Sequence, residues 1–127
     1  MEVLEQPTST ALNLDLEAKL EHYRTIMEQV LLPYTEIPYS HGEMVCKPVF
    51  DRHNDSYILV TVGWDWPRRV HGCLVHLDMI GGKIWVQRDE TEDGVSPDLV
   101  RAGVDRRDII LAFHPPDVWA DTDYGVP

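Results

Sequence analysis

The chain has little of what several function classes depend on. Its 127 residues include only two cysteines, too few for a disulfide scaffold or a four-cysteine zinc site. Lys and Arg number 11 against 22 Asp and Glu, a formal charge of −11. A nucleic-acid surface must present clustered bases to phosphates, because counterion release supplies most of the non-specific affinity. Here the basic pairs are Arg68-Arg69 and Arg106-Arg107, the second flanked by Asp105 and Asp108. Direct nucleic-acid binding is therefore not expected. No apolar run approaches the roughly 20 residues of a membrane span, and Met1-Glu2-Val3-Leu4-Glu5 carries acids where an export signal needs bases. These features fit a cytoplasmic protein with free thiols and no membrane association. No Gly-rich loop opens a helix, which leaves nucleotide phosphates without a cradle.

What is present fits one ordinary domain. The 43% hydrophobic and 26% charged fractions are those of a folded globular protein, and the length suits a single core. The charge is uneven: residues 1–36 hold seven acids and two bases, 37–91 seven and six, and 92–127 eight and three. The middle of the chain is thus nearly neutral between two acidic ends. Residues 1–14, polar and broken by Pro7, read as a flexible acidic N-terminal extension. Residues 15–127 read as the domain.

Periodicity supplies the elements. Leu16, Leu20, Tyr23, Met27, Val30 and Tyr34 fall four and three apart, which makes one apolar helix face, with Asn13 as N-cap and Pro33 near the stop. Four antiparallel strands follow at 43–51, 56–65, 69–80 and 83–89, separated by Arg52-His53-Asn54-Asp55, Trp66-Pro67-Arg68 and Gly81-Gly82. The two-glycine loop sets Ile80 opposite Lys83, Leu77 opposite Val86 and His76 opposite Gln87. Ser96-Pro97-Asp98 starts a short helix, with Ser96 as N-cap and Gly103 as its end. Ile109-Ile110-Leu111-Ala112-Phe113 is a buried strand or turn. The fold class is α+β: a long N-terminal helix on a four-stranded, or five-stranded, antiparallel meander, with a short C-terminal helix.

Carrying strict alternation through the hairpins gives a core face of Val45, Val49, Ile58, Val60, Val62, Cys73, Val75, Leu77, Met79, Ile84 and Val86. The opposite face holds Phe50, Tyr57, Leu59, Leu74, His76, Asp78, Ile80, Trp85 and Gln87, with Met44 beside them. Large apolar groups mixed with polar ones fit an interaction surface, here a candidate homo-oligomer interface with Trp85 as its anchor. The same positions leave a second option open, a ligand or catalytic pocket with His76 as general base and Asp78 orienting it. No nucleophile stands beside them in the sequence. His71 and Cys73 share a strand face but lack the further ligands of a zinc site, and Cys46 and Cys73 fall on opposite faces. The acids Asp51, Asp65 and Asp89 lie at strand ends, where Asp serves turns. Glu17, two residues before Lys19, lies on the helix rather than on a nuclease-type strand. No metal, cofactor or catalytic residue is expected.

The run Val49-Phe50-Asp51-Arg52-His53-Asn54-Asp55-Ser56-Tyr57, then Val62-Gly63-Trp64-Asp65, Arg68-Arg69-Val70-His71-Gly72-Cys73-Leu74-Val75-His76 and Gly82-Lys83-Ile84-Trp85-Val86-Gln87-Arg88-Asp89 resembles the XisI family. Ile37-Pro38-Tyr39-Ser40, Leu99-Val100-Arg101-Ala102-Gly103-Val104 and Phe113-His114-Pro115-Pro116 continue the resemblance, which spans 20–126. It implies an α+β fold and a role in excising a DNA element in cyanobacteria, together with a companion protein, XisH, and a separate recombinase. It brings no catalytic residue. The chain departs from the family pattern at Trp119, where a basic residue is expected, and so lacks that charge.

Overall fold

Turn residues divide the middle of the chain into strands, and a computed structural model describing residues 9–38 and 42–127 shows how those strands assemble. Strands β1 (Glu43–Asp51), β2 (Ser56–Asp65), β3 (Arg68–Ile80) and β4 (Lys83–Asp89) form an antiparallel meander. In the first turn Asp51 Oδ1 accepts from the backbone N–H groups of His53 and Asn54, both at 3.0 Å. In the last, Gly81 and Gly82 adopt φ of 59° and 78°, which only glycine takes without strain, and the expected pairs Ile80 with Lys83 and Leu77 with Val86 form.

A fifth strand, β5 (Ile109–Ile110), joins the far edge parallel to β4, so the sheet is mixed rather than wholly antiparallel. Its two isoleucines are fully buried. Between β4 and β5 the chain forms helix α2 (Ser96–Ala102), closed by Gly103 as expected. The N-cap is Val95 rather than Ser96 and makes no side-chain cap; the chain is tied down there by the Val95 N–H, which donates to Asp89 Oδ2 at 2.8 Å.

Helix α1 (Ser9–Leu31) passes into a 3-10 turn, Leu32–Glu36, at Pro33. The described part of α1 begins at Ser9, so Asn13 lies within the helix instead of capping it. Residues 1–8 of the expected extension lie outside the described residues. Tyr23, Ile26, Met27 and Leu31 are buried and pack with Tyr57, Leu59, Val75, Leu77, Ile84 and Val86, while Leu99 of α2 joins the same cluster. Each fully buried aliphatic side chain contributes about 1.5–3 kcal/mol. Leu16 is 49% exposed and stands apart from this core; Ile26 and Leu31 take its place. Ion pairs pin the helix to the first hairpin, through Arg24 to Asp55 at 2.8 Å and through Arg52 to Glu21 and Glu28.

Both helices therefore cover one face of the sheet, and the composition of that face corrects the strict alternation. Register shifts between Leu59 and Val60 where β2 meets β3, so Val60 pairs with Cys73 while Leu59 pairs with Val75. Leu74 is the extra residue of a bulge, and it packs inward beside Val75. Beyond it the phase of β2 reverses relative to an unbroken hairpin. Tyr57 and Leu59 are fully buried under the helices, and Phe50 and Leu74 pack against the same core. Val45, Val49, Ile58, Val60, Val62 and Cys73 are on the other side. A second shift, between His76 and Leu77, pairs His76 with Arg88 rather than Gln87.

Candidate functional site

Directly opposed residues on neighbouring strands share a face. The face away from the helices is thus built from the rows Glu43, Trp64, Arg69; Val45, Val62, His71; Lys47, Val60, Cys73; and Val49, Ile58, His76. Val45 and Val49 are 57% and 51% exposed, and Ile58, Val60 and Val62 are half-buried without belonging to the core or packing against it. At one corner the Trp64 and Trp66 rings stack with centroids 4.5 Å apart, and the Arg69 guanidinium sits 5.2 Å from the Trp64 ring. Strict alternation assigned the valine field to the core, and nothing in the sequence brought Trp64, Trp66 and Arg69 together as one corner. The field is apolar on both sides of β2, through Tyr57-Ile58-Leu59-Val60, so its pattern carries no phase.

Further along the same face, Asp78 gathers donors. Its Oδ1 accepts from Ser56 Oγ at 2.6 Å and lies 2.9 Å from His76 Nε2, and its Oδ2 accepts from Gln87 Nε2 at 3.2 Å. Burial opposes ionisation of Asp78, yet these hydrogen bonds outweigh it and hold the carboxyl below its usual range. Sequence reasoning placed His76, Asp78 and Gln87 together; Ser56 is the added member, displayed by the Ser56 and Asp78 cross-strand pair. The chemistry is that of a satisfied structural hub. Ser56 donates to the carboxylate rather than to His76, which is not the relay that activates a serine.

Of the expected interface residues, His76, Asp78, Ile80, Trp85 and Gln87 lie on this outer face, whereas Phe50, Tyr57, Leu59 and Leu74 turn to the core. Trp85 is not an open anchor. A 3-10 segment, Pro116–Asp121, brings the Trp119 ring edge-on to it at 5.7 Å and 89°, and Trp119 Nε1 donates to His114 O at 2.9 Å. Ile80 remains 51% exposed.

The remaining candidate groups are placed as follows. Cys46 is buried on the helix side, paired across from Thr61, and Cys73 is on the outer side; both are free, and burial pushes each thiol up from its ordinary range. His71 and Cys73 share the outer face, and among the described residues no three His, Cys, Asp or Glu side chains gather as metal ligands. Clefts of about 390 and 420 Å³ lie around Tyr34 and Ile37, with Asp98 on one and Leu74 and Glu90 to Asp93 on the other. A third, of about 400 Å³, lies beside Lys83 and Tyr124. None of the three includes His76 or Asp78. Among the described residues no helix is long and apolar enough to cross a membrane.

Comparison with known proteins gives consistent results. The pattern of the XisI protein family matches residues 17–126. A XisI-like protein from Anabaena variabilis has a similar solved structure, with TM-score 0.79 and 31% identity, covering 85% of this chain and 99% of that one. A second solved structure, described as the fdxN element excision controlling factor XisI from Anabaena variabilis, has TM-score 0.74 and 29% identity over 86% of this chain and 99% of its own. No curated protein matches the chain.

Proposed function

The chain belongs to the XisI family, and from that membership we propose that it is a non-catalytic accessory protein controlling excision of a DNA element through contact with an XisH-like companion. Similarity over nearly the whole of a protein described as an excision controlling factor supports this role most directly. Two physical features agree with it. The polar cluster around Asp78 uses its donors internally and sits on a sheet face rather than in a cleft. The charge of −11, with bases scattered, points to a protein partner rather than to phosphates.

An excision reporter tests the role: a DNA element with its recombination sites, the recombinase and the XisH-like protein are supplied with or without this chain. Excision that requires the chain, with co-purification of chain and XisH-like protein, is the expected result. Excision indifferent to the chain overturns the role. A submicromolar, salt-sensitive gel shift of duplex DNA by the chain alone overturns the partner-mediated route.

A further inference from the structure

The outer face of β1, β2 and β3 carries an apolar field made by Val45, Val49, Ile58, Val60, Val62 and Trp64 that no element among the described residues covers, and such a field is suited to contact. We propose that its occupant is a second copy of this chain, packed sheet to sheet about a twofold axis that runs along β2. The proposal is independent of the role in excision.

Charge selects the occupant. The residues from 37 to 91 that build the field carry seven acids and six bases, whereas 1–36 and 92–127 each carry a surplus of five acids. Two copies meeting through their helix or C-terminal sides bring acid against acid. Meeting through the valine field, they bring the nearly neutral parts together and leave the acidic parts outermost. The composition suits an isologous contact, in which one patch serves both sides.

The axis follows from two side chains. Glu43 and Arg69 stand at the two ends of one row, on β1 and β3, separated by Trp64 on β2. Among the described residues neither has an ion-pair partner; Arg69 lies over Trp64 and donates to Gly63 O at 3.3 Å. Rotation about an axis along β2 lays β1 of one copy over β3 of the other at the same level. Glu43 then faces the partner's Arg69, and Arg69 the partner's Glu43, across sheets about 10 Å apart, a gap these long side chains span. Val60 and Val62 meet their own images on the axis. Lys47 on the edge strand keeps its ammonium group in water while its stem covers the field. An axis running across the strands instead sets Glu43 against the partner's Asp51, a like-charge contact. It also offers Arg69 only Asp78, whose carboxylate already accepts from Ser56 and Gln87 and lies against His76.

Sedimentation velocity on the full chain at 10 and 100 µM in 150 mM salt reads the outcome, with circular dichroism and thermal midpoint as folding controls. The wild type should run as a dimer, and Val62→Asp should raise the dissociation constant by roughly a hundredfold. Glu43→Arg and Arg69→Glu should each raise it by about fivefold or more, and the two together should return it to within about twofold of wild type. These two charge reversals sit at the rim, so they remain informative if Val62→Asp does not fold. A wild-type monomer at 100 µM overturns the proposal, as does a dimer indifferent to all these changes. Single reversals that weaken association without mutual rescue overturn the axis along β2.

Discussion

At the scale of single residues, Asp78 shows how a carboxylate can be costly to remove without being catalytic. Three side chains from β2, β3 and β4 converge on it, so replacing it leaves Ser56, His76 and Gln87 without their common acceptor. Asp78→Ala should lower the unfolding free energy at pH 7 by about 1–3 kcal/mol, the cost of stranding partly buried polar groups. The pH dependence has a definite sign. The folded pKa is depressed, so the stabilisation is fully present above the unfolded value of about 3.9 and is lost as pH falls through the lower folded value. Urea unfolding of wild type and Asp78→Ala should therefore differ at pH 7 and converge toward pH 3. A gap that stays constant over that range would show that the carboxylate charge is irrelevant. Tyr23 illustrates the opposite direction: burial first, then its hydrogen bond to Asp108 Oδ2 at 2.6 Å, pushes its hydroxyl up to about 12, so it stays a donor throughout the physiological range.

At the scale of elements, strand limits and turns were legible in the sequence because Asn, Pro and Gly punctuate them, and the two-glycine loop fixed the register between β3 and β4 near the turn. The faces were not. Gly72, two residues before Leu74, is the one sequence signal of the bulge, and strict alternation passed over it; the bulge inverts the assignment of every residue in β2 relative to the core. The expected interface consequently mixed core residues such as Tyr57 with true outer residues such as His76. The helix face was legible at Tyr23 and Met27, but not at Ile26 and Leu31, which widen the buried stripe beyond a strict four-three spacing. The segment Pro116–Asp121 was invisible as an element, being too short for periodicity, and its function is carried by Trp119 against Trp85. An edge-to-face aromatic pair contributes about 0.5–1.5 kcal/mol beyond the area it buries. Trp119→Ala should cost about 1.5 kcal/mol in chemical denaturation, and a loss below about 0.3 kcal/mol would mean that the tail merely rests on the sheet.

At the scale of the whole molecule, the topology of the described residues places α1 and α2 on one side and leaves the other to strands, tryptophans and the C-terminal segment. The tail is held by Gly125, whose N–H donates to Ile109 O at 2.8 Å; a Cβ at that position would run into the Arg107 carbonyl. The parallel rung of β5 also has a consequence in time. Strands β1 to β4 stand in space in the order of the chain, so each pairs with the strand just before it through a short turn. β5 reaches β4 only after the chain from Asp89 to Ile109 has folded back through α2, a longer closure with a larger entropy cost. On this entropy argument the meander should assemble early and the tail dock last, carrying Trp119 onto Trp85 as the closing event. In stopped-flow refolding followed by tryptophan fluorescence, Trp119→Phe should remove the final phase and keep the earlier ones. A final phase that persists unchanged in that variant would place the last step elsewhere in the chain.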